Sequence, residues 1–176
     1  MRVTNELCEK SPYRFRLPSL DLLAEMLEKL DGKDEKFFMT ELDISNHYWS
    51  CKVPAGEEGQ VRIAIGSRVF SIPSLPFGWT HSPPIAQKLL ALTLAKRHPG
   101  EVIVIQYVDD ILIMGPSQEG VDRATRDIVQ LLESEGWLVS PKSVTTPQSN
   151  LSWMGKEIKT GERTIGPTPA QVATME

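Results

Sequence analysis

Apolar residues recur along this chain with two different periods. Leu20, Leu23, Met26, Leu27 and Leu30 fall three or four apart, which predicts an amphipathic helix capped by Ser19 and stopped at Asp31-Gly32. Before it, SPYRFRLP (11–18) reads as an extended segment bounded by proline. Near-alternation over Phe37 to Ile44 predicts a strand, with Asp43 close to its end. Tyr48 to Val53, Val61 to Ile65 and Val69 to Ile72 read as further strands, the first two joined by the polar turn PAGEEGQ. A helix is expected from about Pro84 to Arg97, because Pro83 and Pro84 suit a first helical turn. Val102 to Tyr107 and Ile111 to Met114 are two strongly apolar strands. Ser117 to Glu135 repeats the helical period, turning Val121, Ile128, Val129, Leu131 and Leu132 inward and ending at Gly136. Short strands and turns fill Trp137 to Ile165. Elements in this order predict the α+β class, an antiparallel sheet with helices packed on one face, and no linker divides residues 1–176 into two domains.

Composition narrows the function classes. With 176 residues, 40% hydrophobic and 24% charged, the chain can bury a core of its own. A net charge of -4 excludes a basic field over the whole surface, so any hold on nucleic acid is local or borrows charge from other segments. Cys8 and Cys51 form no CxxC pair, and His47, His81 and His98 lack the spacing of a zinc site. Reduced thiols and short apolar runs fit an intracellular protein without membrane association.

The chemistry concentrates in Val102 to Met114, VIVIQYVDDILIM, where Asp109 and Asp110 interrupt an apolar run. As turn residues they are poorly chosen, since a two-residue hairpin favours Gly or Asn at its centre. Two carboxylates about 4 Å apart repel by about 4 kcal/mol at an effective dielectric near 20. Neighbouring sequence supplies no cationic side chain to offset this. Mg²⁺ is the hard cation that one or two carboxylates hold together with phosphate oxygens, and Asp43 is the natural third ligand. The pattern describes a two-metal phosphoryl-transfer site.

These residues also resemble a known family. Tyr107-Val108-Asp109-Asp110 is similar to the YxDD box of reverse transcriptases. LDISNHYWSCKV resembles their first palm motif through Asp43 and Tyr48, and SLPFGWTHSPPIAQ the next, through Leu75, Pro76, Gly78, Ser82, Pro83 and Gln87. EGWLVSPKS resembles the Gly-and-Lys motif through Gly136 and Lys142, and LSWMGKEI stands where the family has FLGxxI, through Gly155. The ending IGPTPAQVATM and Phe77 resemble LTR retroelements, the gypsy-like branch in particular, while RVTN and RFRLP loosely resemble the segments that close the fingers.

The resemblance implies a polymerase palm with a ferredoxin-like core and part of the fingers, adding deoxynucleotides to a primer 3′-OH on an RNA or DNA template. Asp43, Asp109, Asp110 and the Ile44 carbonyl would hold Mg²⁺, with Mn²⁺ as a possible substitute. Tyr48 would stack under the sugar and exclude a 2′-OH, Gln87 would reach the incoming dNTP or the templating pair, and Lys142 would protonate the leaving pyrophosphate. Phe77, Gly78 and Trp79 would form a surface for template and incoming base, and Gly155 one for the primer. His47 departs from the family, which carries a small residue there; its imidazole would crowd the nucleotide or hydrogen-bond to it.

Thumb, connection and RNase H segments do not match anything here, so fingers, thumb and RNase H of a longer polyprotein are expected partners, and the chain alone is expected to be weakly active or inactive. A second reading is a catalytically silent, co-opted derivative serving as a binding or scaffolding module. The three retained carboxylates weigh against it. A third, a two-metal nuclease, leaves Tyr48 and the LPFG loop without a use.

Overall fold

The computed structural model describes residues 17–30, 36–56, 62–97 and 100–174. The elements run α1 (Leu20–Leu30), β1 (Phe38–Ser45), α2 (His47–Ser50), β2 (Arg62–Ile65), β3 (Arg68–Ser71), α3 (Ser82–Leu94), β4 (Ile103–Tyr107), β5 (Asp110–Gly115), α4 (Gln118–Ser134), β6 (Leu138–Val139), β7 (Val144–Gln148), β8 (Asn150–Trp153), β9 (Lys156–Lys159), β10 (Thr164–Pro167) and α5 (Pro169–Ala173). Residues 11–16, the expected stop at Asp31-Gly32 and most of the PAGEEGQ turn lie outside the described residues.

The main sheet is antiparallel, in the order β4-β5-β1-β6, with β7 also paired to β1. Its inner strand β5 explains the apolar run around the aspartates. Ile111 and Ile113 face one core with Leu42, Ile44, Leu90, Val121, Ile128 and Leu132. Leu112 and Met114 face a second with Leu23, Met39, Ile105, Leu151, Trp153 and Ile158. A strand buried on both faces needs apolar residues at every position rather than at alternate ones. Helices α3 and α4 cover the first face as expected; the second face is closed by Leu23 of α1 and by the small sheet β10-β9-β8.

Capping follows local chemistry. The Ser19 hydroxyl accepts the Leu22 N–H at 3.2 Å, and Ser117 accepts that of Gly120 at 3.2 Å. At the end of α4, Gly136 takes φ 85°, Gly136 N–H donates to the Glu133 carbonyl and Trp137 N–H to that of Leu132. That is a Schellman stop, and it drops Trp137 into the core with its indole donating to the Thr93 hydroxyl at 3.0 Å. Of the apolar positions expected inward on α1, Leu23 is buried; the side chains of Leu20, Met26, Leu27 and Leu30 are outside the described set. On α4, Val121, Ile128 and Leu132 are buried, and Val129 and Leu131 partly so.

Two expected elements are corrected. Tyr48 to Val53 is not a strand: Asn46 adopts a left-handed backbone (φ 55°), and residues 47–50 coil into one helical turn closed by Ser50 N–H on the Asn46 carbonyl. Asn tolerates this conformation better than other residues with a Cβ, so it reverses the chain as soon as β1 ends. Only Lys52 retains an extended pairing, a single bridge to Ser74. The third helix covers 82–94 rather than 84–97, with Pro83 and Pro84 in its first turn, as their missing N–H groups favour.

Candidate active site

Strand register brings the acidic residues together. Asp43 on β1 pairs directly with Asp110 on β5. The backbone N–H and C=O of Asp43 both point away from β5, toward Ser143 and Ser140. The Asp43–Asp110 pair is therefore the non-hydrogen-bonded kind, whose Cα atoms approach to about 4.5 Å and whose side chains stand closest. Ile44 N–H, pointing the other way, donates to the Asp109 carbonyl at 2.9 Å, and by strand geometry the Ile44 carbonyl faces the same side.

Asp109 lies in the tight turn between β4 and β5. Because Tyr107 pairs with Asp110, the turn centre is Val108-Asp109. Val108 carries φ 56°, a conformation a β-branched residue rarely adopts. Its strain is held by two glutamines. The Gln87 carboxamide oxygen accepts the Val108 N–H at 2.8 Å; the Gln106 side chain donates to the Val108 carbonyl at 3.1 Å and to the Gln87 carbonyl at 3.2 Å.

Glu41, two positions before Asp43, shares its face of the sheet and belongs to the same acidic group. Sequence reading passed over it, although the two-residue strand period was signal enough. Burial, then the charges of Asp110 and Asp43, push its carboxyl up to about 7. Burial, then Asp109 and Asp43, push Asp110 up to about 6. Both shifts raise a folded-state pKa, so without a cation the fold binds more protons than the unfolded chain between pH about 4 and 7. Stability then falls as pH rises through that window. Melts of the metal-free chain should lose about 5 °C between pH 4.5 and 7.5, from an effect on the order of 2 kcal/mol after allowing for solvent screening. Glu41→Gln should remove a substantial part of that slope; an unchanged slope would mean that the acidic cluster is not its source.

Beside the carboxylates stands an aromatic group. Tyr48 on α2 is partly buried and meets Phe77 edge-on at 5.1 Å, and Trp49 meets the same ring at 5.9 Å. Burial, then the Asp109 charge, raises the Tyr48 hydroxyl. Phe77 and Gly78 (φ 78°) form a turn braced by the Ser82 hydroxyl, which donates to the Pro76 carbonyl at 2.7 Å. Phe77 is exposed; Trp79 is partly buried against His81.

His47 turns into the core. It is 4% exposed and wedged between Tyr48 and Trp137, with ring separations of 5.6 and 5.4 Å. The helical turn buries residue 47, leaves Tyr48 partly buried and exposes Trp49. Burial lowers its pKa, opposed by Asp109 and by the backbone of Ala86, so the ring is neutral near pH 7. Gln87 spends its oxygen on the turn backbone. Lys142 is exposed on the turn 140–143, whose two end serines bond the Asp43 backbone. Gly155 stands apart, forming with Met154 the β8–β9 turn in the small sheet.

The donor chemistry of Asp43, Asp109, Asp110 and the Ile44 carbonyl suits a hard divalent cation: all oxygen, with repulsion that a cation relieves. Among the described residues, no three Asp, Glu, His or Cys side chains are gathered closely enough to hold a metal ion by themselves. Mg²⁺ is commonly held by one or two carboxylates and completed by substrate phosphates, so an open arrangement fits it. No helix among the described residues is long and apolar enough to cross a membrane.

The comparisons with known proteins agree with this geometry. The chain is 33% identical over 103 residues to the Gag-Pol polyprotein of gibbon ape leukemia virus, covering 57% of this chain and 6% of that protein. It is 25% identical over 139 residues to the Transposon Tf2-3 polyprotein of Schizosaccharomyces pombe, covering 79% and 10%. It thus spans a small fraction of either relative. In fold it matches a foamy viral protease-reverse transcriptase solved in complex with dsDNA, with a TM-score of 0.78 at 18% identity over 99% of this chain and 34% of that one. The family model described as reverse transcriptase (RNA-dependent DNA polymerase) matches residues 1–158, and the chain belongs to that family.

Proposed function

We propose that this chain is the catalytic core of an RNA-directed DNA polymerase, a nucleotidyltransferase that extends a primer on an RNA or DNA template. The single observation that carries the reading is the direct pairing of Asp43 with Asp110 beside the Asp109 turn. Asp43, Asp109 and Asp110, helped by the Ile44 carbonyl, hold the divalent ions on which the family generally depends. When bound, Mg²⁺ lowers the pKa of the primer 3′-hydroxyl and neutralises charge on the leaving pyrophosphate. Tyr48, braced by Phe77, lies under the deoxyribose and excludes a 2′-hydroxyl by bulk. Lys142, exposed on the turn 140–143, gives a proton to pyrophosphate. Phe77, Gly78 and Trp79 line the path of template and incoming base, and Gly155 that of the primer.

Residues 1–176 are read as palm with partial fingers, working with further segments of a longer polyprotein. The LPFG loop supports an LTR retroelement of the gypsy-like branch as its source. The imidazole of His47, buried against Trp137, is turned into the core, which favours room for the nucleotide beside Tyr48.

Metal titration tests the site. Mn²⁺ at about a hundred times its dissociation constant should stabilise the wild-type chain by about 2.7 kcal/mol, or roughly 5–10 °C in melting temperature. Asp109→Asn should lose much of that shift. Equal shifts in both proteins would count against the site.

A further inference from the structure

We infer that Ser143 is a positioning residue for Asp43, its hydroxyl taking the place of a strand partner on the side of β1 away from Asp110. The inference rests on the metal-binding reading of Asp43 given above.

The neighbouring chain leaves the ladder at this residue. Val139 pairs with Ile44 and Val144 with Glu41, and the four residues between, Ser140 to Ser143, form a turn instead of continuing a strand. Asp43 is the residue this detour leaves without a regular partner. The Ser140 bond continues the β1–β6 ladder on the carbonyl of Asp43, and on its N–H a serine hydroxyl supplies what the ladder would have given. The Ser143 hydroxyl accepts the Asp43 N–H at 3.0 Å, and the Ser140 N–H donates to the Asp43 carbonyl at 2.7 Å. The turn is closed on itself by Ser143 N–H on the Ser140 carbonyl at 3.0 Å and by Lys142 N–H on the Ser140 hydroxyl at 3.2 Å.

Backbone ladder bonds survive most substitutions; a side-chain acceptor does not. The N–H side of Asp43 therefore depends on one hydroxyl, while its carbonyl stays bonded to Ser140 N–H and its register against Asp110 is set by β5. The same turn carries Lys142. Partners that orient a metal-binding carboxylate typically contribute 10–100-fold in metal affinity or activity.

The test measures Mn²⁺ affinity, by the electron paramagnetic resonance signal of free Mn²⁺, for the wild-type chain, Ser143→Ala, Ser143→Thr, Ser143→Val and Asp43→Asn. Circular dichroism confirms that each is folded. Ser143→Ala and Ser143→Val should weaken binding about tenfold or more, and Ser143→Thr should stay close to wild type. Thr and Val have nearly the same shape, so that contrast isolates the hydroxyl even if Ala disturbs the turn. If Ser143→Val binds Mn²⁺ as tightly as Ser143→Thr while Asp43→Asn does not bind, the positioning role is overturned and the metal site stands. If the wild-type chain itself binds no Mn²⁺, the metal-site reading is overturned and this inference falls with it.

Discussion

Asp43→Asn, placed in a chain long enough to extend a primer, should lower turnover by about a thousandfold or more, without lowering the melting temperature of the metal-free protein. Metal ions at a phosphoryl-transfer site supply several kcal/mol of charge stabilisation. At about 1.4 kcal/mol per factor of ten, losing their ligand removes roughly three powers of ten. The stability effect runs the other way because Asp43 repels its neighbours: both Glu41 and Asp110 have their carboxyl groups raised in part by its charge. An amide of the same shape relieves that repulsion and leaves the backbone bonds to Ser140 and Ser143 intact. Single-nucleotide extension at saturating dNTP, beside melts in EDTA, reads both quantities. A modest loss of turnover accompanied by a large drop in melting temperature would mark Asp43 as structural.

Different parts of this site were legible in the sequence to different degrees. The run VIVIQYVDDILIM announced an inner strand with misplaced charge, and β5 is that strand, buried on both faces from Ile111 to Met114. Asp109 and Asp110 could be singled out from burial and repulsion alone. Their partner Asp43 could be suggested as a third ligand, but nothing in the periodicity fixes a register between strands so far apart in the chain; pairing depends on tertiary contacts. Glu41 was readable from the two-residue strand period and was missed because it has no place in the motif.

Other features depend on backbone conformations that side-chain patterns do not display. Asn46 and Val108 take positive φ, and each redirects the chain beyond it. Asn46 turns an expected strand into the helical turn that buries His47, and Val108 sets the carboxylate turn. The hydrogen bonds joining Ser143 to Asp43 and Gln87 to Val108 span 100 and 21 positions and belong to no periodic pattern.

The contact between Gln87 and Val108 carries the second large effect. Gln87→Leu should destabilise the chain by about 1–3 kcal/mol, the cost of leaving a partly buried N–H without its acceptor. It should also lower turnover more than it raises the KM for dNTP. The reason lies in the turn. Val108 is held in a conformation that costs about 1–3 kcal/mol and persists only where surrounding groups enforce it. Gln87 enforces it from the N–H side and Gln106 from the carbonyl side. With the Gln87 oxygen gone, Val108 relaxes toward negative φ and Asp109 swings away from Ile44, whose N–H it now accepts. Val108→Gly should act in the opposite sense on stability, since glycine occupies positive φ without the steric cost. In the double mutant the loss from Gln87→Leu should shrink, because a glycine turn needs less enforcement; neighbours of this kind couple by about 0.5–3 kcal/mol. Urea unfolding of the four proteins in the cycle measures that coupling. Strict additivity would mean that Gln87 does not hold the strained turn, and a selective rise in KM for dNTP would return it to the nucleotide.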